Sequence, residues 1–104
     1  MSHAAIEETL NRIKTHKGVT GIVIVNADGV TLRSTLDAKI TAQYASIISD
    51  LSSRAQNFIQ GLDPQNDLSF LRIRTKKHEI MVSPSKDFLL IVIQDPNVVQ
   101  EGNK

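Results

Sequence analysis

The stretch Val19-Thr20-Gly21-Ile22-Val23-Ile24-Val25-Asn26 decides the fold. Its centre, Ile22 to Val25, is apolar at four successive positions, which is typical of a strand that is buried on both faces. Asn26-Ala27-Asp28-Gly29 then forms a hairpin turn signal, and Val30 to Ser34 supplies the return strand. Phe88 to Ile93 is also apolar on both faces. The sequence therefore predicts a sheet whose two central strands are covered on both sides.

Two segments have the spacing of helices. The first carries Ile6, Leu10 and Ile13 over roughly three turns and stops at Gly18. The second runs from about Thr41 to Gly61. Nine apolar side chains of this segment fall within an arc of about 120° at about 100° per residue. They are Ile40, Tyr44, Ile47, Ile48, Leu51, Ala55, Phe58, Ile59 and Leu62. We expect this arc to face the core.

The remaining elements are strands. Leu68 to Thr75 alternates between apolar and polar residues, and polar turns separate it from His78 to Ser83 and from Asp87 to Gln94. The predicted fold is α+β: a five-stranded, mostly antiparallel sheet with helices on both faces. The order is helix, two strands, long helix, three strands. Residues 1–96 form one predicted domain, and 97–104 are a tail or a short helix.

Composition and charge argue against several functions. Lys+Arg 12 against Asp+Glu 11 gives a net charge of +1, which predicts no nucleic-acid or membrane partner. There is no cysteine, and the three histidines are not at helical or turn spacing for a metal. No catalytic motif is present, so we predict a protein that is not an enzyme and has no cofactor. The first residues do not read as a signal peptide, which predicts an intracellular protein.

The side of the long helix opposite the apolar arc is unusually poor in charge. From Ile40 to Leu62 only Asp50 and Arg54 are charged, whereas a solvated helix face normally carries several Lys and Glu residues. The residues on this side are small or uncharged: Ala42, Ala45, Ser46, Ser49, Ser53, Gln56 and Gln60. We favour packing of this side against a second chain over exposure to water.

The strand that follows the long crossover should lie at a sheet edge, where an identical strand can pair with it about a two-fold axis. The basic residues of this region are interpreted as a solvated strand face, or as a salt-bridging edge, rather than as an RNA site. The predicted dimer or partner interface consists of Ala42, Ala45, Ser46, Ser49, Asp50, Ser53 and Gln56 of the helix and Leu71, Arg72, Ile73 and Arg74 of the strand.

Several of these segments also match a known family. Asp63-Pro64-Gln65-Asn66-Asp67-Leu68, followed by Phe70 to Arg74 and Lys76 to Val82, resembles the central block of roadblock dynein light chains. The first hairpin and Gln43-Tyr44-Ala45 are similar to the same family. The resemblance covers roughly residues 5–96. Arg54 to Gln60 departs from the family's usual sequence.

This resemblance implies a homodimer whose sheet continues across the dimer axis. It implies a non-catalytic light chain that binds the dynein intermediate chain, with a paralogous light chain as a further partner. It also implies cytoplasmic or axonemal motors, retrograde and intraflagellar transport, and a location in the cytoplasm, cytoskeleton or cilium. Within the wider superfamily, similar dimers act as platforms for small GTPases, and this is the alternative function.

Overall fold

A computed structural model describes residues 3–97 of the chain. Its seven elements are α1 (His3–Lys14), β1 (Val19–Asn26), β2 (Thr31–Ser34), α2 (Ala38–Leu62), β3 (Leu71–Arg74), β4 (Glu79–Pro84) and β5 (Phe88–Gln94). Apart from Asn97, the expected tail at 97–104 lies outside the described residues. The domain boundary at residue 96 stays a prediction.

The five strands form one sheet in the order β2-β1-β5-β4-β3, and every neighbouring pair is antiparallel. The two strands that are apolar on both faces, β1 and β5, lie side by side, with Ile22 opposite Val92 and Val25 opposite Leu89. The predicted α+β class, with a five-stranded sheet between helices, is confirmed. Homodimerisation remains to be tested.

The core consists of two clusters, one on each face of the sheet. Successive strand residues point to opposite faces, so Ile22 and Ile24 pack against Leu10 of α1, whereas Val23 and Val25 lie in the cluster that includes α2. All four of these strand side chains are at most 1% exposed. Full burial of each contributes about 1.5–3 kcal/mol, so the β1 strand anchors both helices.

Side-chain hydrogen bonds fix the start of α2. The carboxylate of Asp37 accepts the backbone N–H of Ile40 at 2.9 Å, which caps the helix. One turn later, the Thr41 hydroxyl lies 2.6 Å from Ser34 Oγ and donates to the carbonyl of Leu36 at 3.2 Å. Thr41 is therefore a buried polar residue with its hydrogen bonds satisfied, and it holds the first turn of α2 against β2.

The expectation that the apolar arc of α2 faces the core is wrong for most of the arc. The residues of α2 that are buried are Thr41, Ala45, Ile48 and Ser52. Only Ile48 belongs to the arc, and Ile47, Phe58 and Leu62 are more than 60% exposed. Small side chains on the sheet side let the helix approach the strands, and the strands themselves supply the apolar volume.

Gly21 gives a direct test of this close packing. A Cβ atom there would lie 2.7 Å from Leu36 Cδ2 and 3.3 Å from Ile93 Cδ1. We expect Gly21→Val to lower the free energy of unfolding by about 1–3 kcal/mol, because Leu36 and Ile93 must shift from their packed positions to admit the added atoms. Urea denaturation followed by circular dichroism measures the change.

Gly61 provides the matched control, because nothing lies within 4 Å of an added Cβ in this helical position. Gly61→Ala should leave the stability unchanged or raise it by up to about 1 kcal/mol. Equal stability of the Gly21→Val variant and the unaltered chain would contradict the packing described here.

Candidate interaction site

The outward flank of α2 is an exposed apolar stripe. Its members lie within an arc of about 60° at about 100° per residue. They are Ile40 and Leu51 at 39% exposed, Ile47 at 64%, Phe58 at 67% and Leu62 at 72%. Contiguous apolar surface of this kind marks an interaction site on a soluble protein. We call these five residues the α2 stripe.

The second half of α2 has little support from the rest of the chain. No residue from 53 to 62 is buried, although this segment is about 15 Å long. One contact to the following loop is a hydrogen bond of 3.2 Å from the Leu68 N–H to Gln56 Oε1. A short helical segment gains little stability in water by itself, so a bound partner would stabilise it.

The small-residue flank of α2 forms one wall of an open cleft of about 680 Å³. Ser49, Ser53 and Gln56 line it from the helix, and Asp67 and Leu68 line it from the loop that leads to β3. The Ser49 hydroxyl is buried there and has no hydrogen-bond partner among the described residues. This flank of α2 therefore faces the β3 side of the molecule.

The other helix residues of the expected interface differ in their surroundings. Ala42 and Ser46 are exposed, and Asp50 is exposed and accepts from Arg54 Nε at 3.0 Å, one turn along α2. Ala45 is 4% exposed and belongs to the core cluster beneath α2. Its side chain is therefore covered by the chain's own sheet, and its assignment to an interface stays a prediction.

The expected edge strand lies where the sequence places it, since β3 is the outermost strand beside β4. Leu71 and Ile73 are half-buried and point to the α2 face, while Arg72 and Arg74 are exposed on the α1 face. Its four residue pairs with β4 are regular. An edge of this kind offers unpaired backbone groups to another strand.

The opposite edge of the sheet is protected. The β1–β2 pairing is irregular between Ile24 and Val25, and Arg33 of β2 forms an ion pair with Glu7 of α1. Bulges and charged side chains are the usual means by which proteins block edge pairing. Of the two edges, β3 is thus the one suited to a second copy of the chain.

The β3 edge and the small-residue flank of α2 adjoin each other. Leu68 forms part of the cleft wall, and β3 begins three residues later at Leu71. A two-fold axis beside β3 would therefore bring strand to strand and cleft to cleft. Apart from Ala45, the expected interface residues are compatible with one surface, and their role in self-association stays a prediction.

A polar clamp, whose members share no local spacing in the sequence, links the edge strand β3 to β4 beside it and to β5 beyond. Arg72 donates to both carboxylate oxygens of Glu79, at 2.7 and 2.9 Å, and Gln94 Nε2 donates to Glu79 Oε1 at 2.9 Å. These hydrogen bonds, above all those from Arg72, lower the pKa of Glu79 to about 2, although burial opposes the shift. The three residues lie on β3, β4 and β5, and only the strand register brings them together.

The described residues give no sign of a metal centre: residues 3–97 contain no group of three or more His, Asp or Glu side chains that could hold an ion. Within the same range, no helix is long and apolar enough to cross a bilayer.

The lowered pKa of Glu79 predicts how stability varies with pH. Its ionised form is favoured in the folded state, so its contribution is present above pH 4.5 and is lost as the pH falls towards about 2. In urea titrations, Glu79→Gln should be less stable than the unaltered chain near neutral pH, and the two should converge in acid. A constant difference across this pH range would contradict the assignment.

The adjoining cleft and edge predict an effect on self-association. Ser53→Arg places a long charged side chain at an exposed position of the cleft wall, so we expect weaker dimerisation with unchanged helix content. Sedimentation velocity at micromolar concentration measures the change. Gln43→Arg, on an exposed and more outward position of α2, is the control and should leave the dimer intact. A chain that is monomeric before substitution would exclude the dimer.

Comparison with known proteins agrees with this architecture. A solved structure of a Roadblock/LC7 domain from Streptomyces avermitilis superposes with a TM-score of 0.74 at 17% identity, covering 82% of this chain and 72% of the other. A structure described as MglB with tetrameric arrangement gives 0.76 at 12% identity, covering 92% and 74%. The gliding protein MglB from Thermus thermophilus gives 0.69 at 14% identity, covering 91% and 71%.

At these sequence identities, structural similarity is evidence for a shared fold and not for a shared function. A tetrameric arrangement of MglB shows that a protein with this fold self-associates. Independently, a family model described as Roadblock/LC7 domain matches residues 5–95, which is most of the sequence. This family is generally non-catalytic. The chain therefore belongs to the Roadblock/LC7 domain family.

Proposed function

We propose that the chain is a non-catalytic, dimeric scaffold or regulator that binds a small GTPase. The observation that carries the proposal is the α2 stripe, which lies on the flank of α2 opposite the cleft. A dimer built through the β3 edge leaves this stripe free. The chain then has one surface for its own copy and a separate surface for a partner.

The similarity to MglB structures supports the GTPase function over the dynein function. The solved structures described above are MglB and a bacterial roadblock domain. The roadblock resemblance by itself allows both a dynein light chain and a platform for small GTPases. Since MglB, a protein that regulates a GTPase, shares this fold, the GTPase is the partner that we put first.

The proposed mechanism is burial of apolar surface, without chemistry. Removing apolar area from water contributes about 25 cal/mol per Å², and a few central residues usually dominate such binding. Ile47 and Leu51 lie one turn apart at the middle of the α2 stripe, so they should be the main contacts. Binding would also order the second half of α2, which the chain's own sheet supports weakly.

The dynein light chain is the second candidate. The segment from Asp63 to Val82 resembles roadblock dynein light chains in detail, and that sequence match favours the intermediate chain as a partner. Under this proposal the same dimer would act in microtubule-based transport, including intraflagellar transport, in the cytoplasm, on the cytoskeleton or in the axoneme. Both functions use a bound partner and no catalysis.

A binding experiment separates the two functions. Immobilised chain should bind small GTPases of its own organism, loaded with a non-hydrolysable GTP analogue, in a saturable manner measured by biolayer interferometry. Ile47→Asp should weaken this binding at least about tenfold, because a carboxylate replaces a central apolar contact. Circular dichroism checks that the helix content is unchanged.

Val30→Asp is the matched control, since Val30 is also an exposed apolar residue, at 57%, but lies in the β1–β2 connection. It should bind the GTPase as the unaltered chain does. If a dynein intermediate-chain peptide bound and none of the GTPases tested did, the GTPase function would be excluded in favour of the dynein function. If Ile47→Asp and Val30→Asp weakened GTPase binding equally, the α2 stripe would not be the binding site.

A further inference from the structure

The face of the sheet opposite α2 has a second, smaller groove. Helix α1 packs on β1, and the groove of about 180 Å³ opens between the end of α1 and the β3 side of the sheet. Its floor and walls are mainly apolar: Ile13 of α1, Phe70 before β3, Met81 of β4, and Leu90 and Val92 of β5. Phe70 is 50% exposed, so an apolar edge of the groove is open to solvent.

Basic residues border this apolar floor on its β3 side. Arg72 stands opposite Met81 in the β3–β4 pairing, on the same face of the sheet, and Arg74 lies two residues further on that face. Lys76 and Lys77 follow in the exposed turn. In residues 3–97 no carboxylate lies within ion-pair distance of Arg74, Lys76 or Lys77, although Glu79 stands opposite Arg74 in the β3–β4 pairing.

The α1 side of the groove is basic as well. His16 lines the groove just beyond the end of α1, and it is flanked in the chain by the exposed residues Lys14 and Lys17. The carboxylates near this end of the sheet are engaged: Glu79 by Arg72 and Gln94, and Asp95 by the N–H of Asn97 at 3.0 Å. The Arg72–Glu79 pair is neutral overall, so the groove is apolar at its floor, with Arg74, Lys76 and Lys77 as the cations on its β3 side and Lys14 and Lys17 near α1.

We propose that this groove docks a short acidic segment of a partner protein, inserting one apolar side chain between Phe70 and Met81 while its carboxylates meet the basic borders. The proposal does not depend on the proposed function, because the α2 stripe lies on the opposite face of the sheet. It gives the chain a second partner surface, recognised by charge and by a single apolar anchor.

The shape of the groove favours a peptide over other anions. A volume of about 180 Å³ equals that of about six waters, which suits one side chain rather than a lipid bilayer. Nucleic-acid sites usually add several aromatic platforms for stacking bases, and Phe70 is the only Phe, Tyr or Trp among the described residues that line the groove. The net charge of +1 also gives weak overall attraction to polyanions.

Fluorescence anisotropy with a labelled synthetic peptide, in which glutamates flank a Leu-Phe pair, tests the proposal. The peptide should bind saturably to the full chain and dissociate as NaCl is raised, because salt screens the charges. A peptide with lysine in place of each glutamate should not bind. Replacing the Leu-Phe pair with two serines should weaken binding about tenfold.

Variants with matched controls assign the site. Phe70→Ser should weaken peptide binding about tenfold, whereas Val30→Ser, at a similarly exposed apolar residue, should not. Arg74→Gln should weaken it by roughly threefold, as expected for loss of one exposed ion pair. Lys39→Gln, an exposed basic residue on α2, is its control and should bind normally.

Three outcomes would overturn the proposal. The first is absence of peptide binding at low salt. The second is equal affinity of the Phe70→Ser and Val30→Ser variants. The third is binding of phosphatidylserine vesicles or of a single-stranded oligonucleotide, in place of the peptide, with loss in the Arg74→Gln variant, which would assign the basic borders to a different ligand.

Discussion

The pairing of β1 with β5 is the constraint on which the other features of this molecule depend. Both strands are apolar on both faces and lie side by side in the sheet. Neither face of the pair can remain in water, so a helix must cover each one. Each helix covers only part of its face. The edge β3, the flanks of α2 and the groove beside α1 are the surfaces that this arrangement leaves open, and they are the candidate sites.

Helix α2 is longer than is needed to cover one face of the sheet. It has 25 residues and spans about 37 Å, whereas the eight residues of β1 span about 27 Å. Its buried residues end at Ser52, and in the following turns Ala55 and Ile59 are half-buried whereas Phe58 and Leu62 are exposed. Helix α2 thus extends beyond the sheet and carries apolar residues outside its core-facing side. Such a helix is suited to binding a second polypeptide.

The sequence was sufficient for the sheet and its helices, because four successive apolar residues and a hairpin turn leave few alternatives for β1. It did not determine which side of α2 faces the sheet. The helical periodicity divides α2 into an apolar side and a side of small, uncharged residues, and the apolar side was assigned to the core. Thr41 and Ala45 occupy the core side, where a satisfied hydroxyl and a small side chain pack closely. The Arg72–Glu79–Gln94 clamp was missed because it depends on strand register, which single-segment patterns do not reveal.

The two faces of the sheet differ in the physical interaction that each offers to a partner. The α2 stripe is apolar and nearly uncharged, so association there would depend on buried area and respond weakly to salt. The groove beside α1 is bordered by exposed Arg and Lys residues, so binding there would be steered by charge and weakened by salt. A change in ionic strength should therefore alter binding at the groove beside α1 more than binding at the α2 stripe. Because the sheet separates the two surfaces, the two proposed partners would not compete for one site.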